Sequence, residues 1–194
     1  MRCVLAGAAA MAILLAAPAA HAGLIGDVTV SVLFPDSSTV FNGATDSLPV
    51  GSSLSCPGSS PICTAGYFGE AVSFSATGTT ITFSQDCCAL YGTATFNGYE
   101  FSNLDFADSG TAASATLGSL SGFAELTQSD VSIVGGDVFV NLQGLDVGGA
   151  GAFTLTLTET GGSTSAVPEP APALLAGCGL LVMLAARKAR GQLF

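Results

Sequence analysis

Apolar and polar residues alternate with a period of two through much of this chain. Val28, Val30, Val32 and Phe34 fall on one face, with Thr29 and Ser31 between them. Val72 and Phe74 alternate with Ser73 and Ser75, and Ile81 and Phe83 with Thr80, Thr82 and Ser84. Val138, Val140 and Leu142 repeat the pattern, as do Phe153, Leu155 and Leu157 against Thr154, Thr156 and Thr158. Period two predicts half-buried strands whose outward positions are hydroxyl side chains.

The turn chemistry agrees. Asn97-Gly98 between residues 93–96 and 99–101 predicts a tight hairpin, because that dipeptide accepts two positive φ angles. Gly135-Gly136-Asp137 between residues 131–134 and 138–142 predicts another. The best helix candidate is residues 112–120, weakened by its Ser, Thr and Gly. Roughly eight to ten short strands with frequent turns predict an all-β fold, a two-sheet antiparallel sandwich of jelly-roll-like kind. A barrel is the other way to close that many strands.

Charge divides the chain into three. The four basic residues are Arg2, Arg187, Lys188 and Arg190, and the single histidine is His21. Residues 23–166 hold no Lys, Arg or His, yet hold 13 of the 14 acidic residues. The predicted organisation is a signal peptide at 1–22, a β-sandwich domain at 23–159, a Ser/Thr/Gly linker at 160–166 and a tail at 167–190.

The first segment starts with Arg2, runs apolar from residue 3 to 17, and ends with Pro18 and the small residues Ala20 and Ala22 around His21. That order predicts a helical secretory signal cut by signal peptidase before Gly23. The run is short of the ~20 residues a membrane span needs. Cys3 stands too far from the cleavage site for a lipoprotein. The last segment reads Val167-Pro168-Glu169-Pro170, then an almost wholly apolar run at 171–186, then Arg187, Lys188 and Arg190. It predicts a rigid spacer, a hydrophobic transmembrane helix and a basic stop that stays cytoplasmic.

This three-part tail resembles the PEP-CTERM sorting signal of exported proteins of Gram-negative bacteria. The residues that carry the likeness are Val167, Pro168, Glu169 and Pro170, the apolar run, and Arg187, Lys188 and Arg190. Cys178 within the run and residues 191–194 after the basic cluster are mild departures. The resemblance implies processing by an exosortase, a membrane-embedded cysteine transpeptidase-like enzyme. It also implies a route: an inner-membrane anchored intermediate, then delivery to the cell surface or an extracellular polysaccharide matrix. It covers the tail alone.

Cys3 leaves with the signal and Cys178 lies in the tail, so Cys56, Cys63, Cys87 and Cys88 remain. An even count in an exported chain predicts two disulfides. Three pairings exist. The expectation favours the two that join Cys56 and Cys63 to Cys87 and Cys88, pinning a Pro-rich loop to a strand end for about 2–4 kcal/mol. The third includes a strained vicinal bridge between Cys87 and Cys88. A zinc site would want closer spacing or histidine, so no metal and no cofactor is predicted.

Without His, Lys or Arg the domain lacks the usual general base and the usual oxyanion and phosphate partners. No catalytic residue is predicted. Asp105 with Asp108, or Asp130 with Asp137, are the carboxylate pairs a glycosidase reading would need, and both read as turn and cap residues. A surface this acidic repels nucleic acid. Calcium has suitable oxygen donors, but no D-x-D-x-D-G loop and no nonapeptide repeat. The expected function is a non-catalytic, surface-directed structural or adhesive β-domain, with polysaccharide as candidate partner. The alternative is a carbohydrate-binding module of the same fold, which needs exposed aromatics. Trp is missing, leaving Tyr67, Tyr91 and Tyr99.

Overall fold

In the computed structural model the alternating segments are strands, and residues 23–66 and 71–161 are described. Ala20 and Ala22 of the signal, the linker beyond residue 161, the motif Val167–Pro170 and the cluster Arg187, Lys188 and Arg190 lie outside the described residues.

In chain order the strands are β1 (Asp27–Leu33), β2 (Val40–Pro49), β3 (Ser53–Ser55), β4 (Val72–Thr77), β5 (Thr80–Gln85) and β6 (Ala89–Leu90). They continue with β7 (Gly98–Ser102), β8 (Thr111–Ser121), β9 (Val131–Val134), β10 (Asp137–Asn141), β11 (Asp146–Val147) and β12 (Gly151–Thr160). A short helix, α1 (Pro61–Thr64), follows β3, and a 3-10 turn at Gln128–Asp130 precedes β9. Two five-stranded sheets form, in the orders β2-β1-β7-β10-β9 and β3-β4-β5-β12-β8, while β6 and β11 make a separate pair. Every pairing is antiparallel. The two large sheets pack as the sandwich that the alternation predicts.

The inner faces supply the core. Val28, Val30 and Val32 of β1 and Val138 and Val140 of β10 face Phe74, Ile81, Phe83, Phe153 and Leu155 of the second sheet, all fully buried. Phe83 is the hub. Its ring centroid lies 5.1 Å from Phe74, 4.9 Å from Tyr99, 5.9 Å from Phe123 and 5.1 Å from Phe153. Tyr99 belongs to the first sheet, so these rings stitch the two layers together.

Two local expectations are overturned. Residues 112–120 belong to strand β8, paired with β12 over its whole length. Its side chains are mostly Ala, Ser, Thr and Gly, so no helical apolar stripe exists, and the pairing partner decides the conformation. Asn97-Gly98 is not a hairpin turn. Gly98 opens β7, and a Cβ there would collide with Val140 O. Asn97 is buried. Its amide N donates to Asn141 Oδ1 (3.1 Å) and its Nδ2 to Gly92 O (2.9 Å). The dipeptide serves a close backbone crossing rather than a reversal. Gly135-Gly136 does make the expected turn, with φ of 66° and 98° between Val134 and Asp137.

The longest strand, β8, is also an edge. The Gln128 side chain covers its middle: Leu117 N donates to Gln128 Oε1 (2.7 Å), and Gln128 Nε2 donates to Ala115 O (2.9 Å). A side-chain amide thus takes the place of a neighbouring strand.

Candidate functional site

Strand alternation with Ser and Thr at most outward positions creates a hydroxyl-rich face on the second sheet, interrupted by Ala152 and Gly118. The register aligns the positions into rows. Ser53, Ser75, Thr82 and Thr154 stand side by side across β3, β4, β5 and β12. Thr77, Thr80, Thr156 and Thr116 form another row. Neighbouring hydroxyls bond laterally, Ser55 Oγ to Ser73 Oγ at 3.2 Å and Ser114 Oγ to Thr158 Oγ1 at 2.6 Å. Glu159 is the single charged residue in the five strands, and its register places it opposite Ala112, an inward position.

The outward face of the first sheet differs. It carries Asp27, Glu100 and Asp137 among its hydroxyls. Glu100 lies between Ser31 of β1 and Phe139 of β10. Burial pushes the Glu100 carboxyl above its ordinary value, and the charge of Asp137 adds to the shift. A raised carboxyl pKa makes protonation favour the fold. The contribution is fully present below the unfolded pKa and is lost as pH rises through the folded one. Glu100→Gln is therefore expected to raise the melting temperature slightly at neutral pH and to leave it unchanged below the carboxylate range. An equal shift at both pH values would contradict this assignment.

The two described tyrosines, Tyr91 and Tyr99, do not build a stacking platform. Tyr99 is fully buried and Tyr91 nearly so. Their hydroxyls meet at 3.1 Å, and Tyr91 OH donates to Gln85 Oε1 at 2.9 Å. Burial pushes the Tyr91 phenol up to about 12, against the opposing hydrogen bond from Tyr99. Tyr67 lies outside the described residues.

The favoured cysteine pairing is corrected. Cys56 is bonded to Cys63, with Cα atoms 5.3 Å apart. The cause is local. Helix α1, with Pro61 at its start, turns the chain back so that Cys63 N donates to Ser60 O (3.0 Å), while Cys56 N is held on Val72 O (2.7 Å). A loop this short contributes about 2–3 kcal/mol by chain entropy. Cys87 Sγ and Cys88 Sγ lie 2.7 Å from each other.

Two of the four carboxylates named as catalytic candidates, Asp108 and Asp130, make local bonds. Asp108 Oδ1 accepts from Gly110 N (3.1 Å), and Asp130 Oδ2 accepts from Thr127 N (2.8 Å) and Thr127 Oγ1 (2.7 Å). Among the described residues no three His, Cys, Asp or Glu side chains converge as a metal site would require. No helix among them is long and apolar enough to cross a membrane. The residues that sequence reading missed are the partners in the uncharged face. Those of β4, β5 and β12 were legible as outward hydroxyls, those of β3 and β8 were not, and their adjacency depends on strand order. Compared with protein-family models, curated proteins and solved structures, the chain matches none.

Proposed function

We propose that the protein is an exported, surface-directed, non-catalytic β-domain, sorted through its PEP-CTERM-like tail to act as a structural or adhesive element of an extracellular polysaccharide matrix. The observation that carries the reading is the segregation of charge. A domain with 13 carboxylates and no cation keeps the outward strand positions of one sheet uncharged and places hydroxyls at most of them. Such a face suits a neutral polyhydroxyl polymer. It offers donors and acceptors in rows and brings no carboxylate into the contact, where an unpaired charge would lose its hydration. Signal and tail give the route, and the sandwich gives a rigid body to present the face.

One experiment separates the route from the contact. Alanine at Pro168, Glu169 and Pro170 is expected to leave an uncut, membrane-held precursor. Thr82→Glu with Thr154→Glu is expected to be processed normally but to lose retention on neutral exopolysaccharide about tenfold, the equivalent of ~1.4 kcal/mol. Thr29→Glu, on the opposite sheet, serves as the charge control and is retained like the parent. Normal processing of the alanine variant overturns the sorting part. Equal retention of the double glutamate variant overturns the adhesive face.

A further inference from the structure

We infer that Cys87 and Cys88 form a second disulfide, a vicinal one, and that it is a labile site of exchange with external thiols while Cys56–Cys63 stays closed. The pairing follows from elimination and geometry together. Cys56 and Cys63 occupy each other. Cys87 Sγ and Cys88 Sγ lie 2.7 Å apart, within reach of the about 2.05 Å of a sulfur–sulfur bond.

The segment that holds them is fixed at both ends. On one side Asp86 N donates to Ala71 O (2.9 Å), and Gln85 Nε2 donates to Cys87 O (2.9 Å). On the other, Tyr91 N donates to Leu145 O (2.9 Å) and Gly144 N to Tyr91 O (2.7 Å). Gln85 and Tyr91 are themselves tied by the buried Tyr91–Gln85 bond. The two cysteines therefore stand on a short span between rigid anchors. Cys88 is exposed and Cys87 half-buried, so a small thiol reaches them.

Lability follows from adjacency. Consecutive Cα atoms are about 3.8 Å apart across a trans peptide, less than the ~4.4–6.8 Å that disulfides usually span. Cys56–Cys63 spans 5.3 Å and carries no such penalty. A strained, exposed disulfide is the one that small thiols open first.

The chemistry balances with an external disulfide as oxidant. The thiolate of one cysteine attacks that disulfide and releases one thiol. The second cysteine then attacks the mixed disulfide, closes the ring and releases the other thiol. In reverse, an external thiolate attacks Cys88 sulfur, and Cys87 leaves as a thiolate and takes a proton. A second external thiolate then frees Cys88 and regenerates the external disulfide.

The test uses the full chain in a graded series of reduced and oxidised glutathione, quenched in acid, alkylated and digested. Trypsin has no site between residues 23 and 166. A glutamyl endoprotease cuts after Glu70 and Glu100, and the peptide 71–100 then carries Cys87 and Cys88 alone. Under oxidising conditions this peptide is expected unalkylated and about 2 Da lighter than its dithiol, two hydrogens having left with S–S formation. It is expected to open in buffers at least about tenfold less reducing than those that open Cys56–Cys63. Cys88→Ser is expected to leave Cys87 alkylatable and Cys56–Cys63 intact. A link between the peptides ending at Glu70 and Glu100, a dimer joined through 71–100, free thiols in every buffer, or joint opening of both pairs overturns the inference.

Discussion

Replacing Phe83 with alanine is expected to cost about 3–5 kcal/mol, the range for large aromatic truncations in a packed core. Phe83 has no exposed surface. It touches four other rings, and two of them, Phe74 and Tyr99, sit on opposite sheets. Removing it opens a void in the middle of the aromatic contacts between the two layers. Phe74, Tyr99 and Phe153 are held by their own strands and cannot close the gap. Domains of this kind carry about 5–15 kcal/mol in all, so the variant loses a large share. Urea unfolding followed by far-ultraviolet circular dichroism reads the change, and Phe83→Leu should recover most of it. A loss below about 1.5 kcal/mol for the alanine variant would falsify the hub role.

Gly98→Ala is expected to be nearly as damaging, at about 3 kcal/mol, the upper end of overpacking costs. The added carbon would strike Val140 O and crowd Val140 C (3.1 Å) and Leu142 N (3.2 Å). All three are backbone atoms of β10 and the residue after it, so no rotamer change relieves the contact. The strands β7 and β10 would have to part where Gly98 pairs with Asn141. Gly148→Ala is the control: nothing lies within 4 Å of a Cβ there, and a change within ~0.5 kcal/mol is expected. Similar melting temperatures for the two variants would place the strain elsewhere.

Those two residues show where sequence and structure part company. Phe83 was legible, because Thr80 to Ser84 alternates cleanly and a strand with that pattern must bury its apolar side. Strands β1, β4, β10 and β12 were legible for the same reason. Gly98 was legible as special but for the wrong reason, since Asn-Gly signals a turn only when two strands flank it closely. Residues 93–96 are not a strand. Strand β2 gives little pattern: Ala44 and Leu48 face inward, but Asp46 occupies the inward register opposite Val30. The strand β8 was hidden by its small side chains, which bury too little to show a period. The cysteine pairing depended on the single turn of α1, and four residues cannot announce a helix by periodicity. The hydroxyl face followed the same logic. Its positions on β4, β5 and β12 were visible one strand at a time, and only the order β3-β4-β5-β12-β8 reveals that they adjoin each other and those of β3 and β8.

The amide of Gln128 has a consequence for proteins kept in crowded company. An eleven-residue edge such as β8 is the natural seed for chain-to-chain polymerisation, because a second copy can lay its own edge alongside and continue the ladder. With Ala115 O and Leu117 N already engaged, an incoming strand would meet a blocked centre and find footing only on the short flanks. Short two-stranded pairings are marginal in water. On this edge the safeguard against chain-to-chain pairing rests on one uncharged side chain, in a domain, residues 23–166, that has no lysine to spend on its edges.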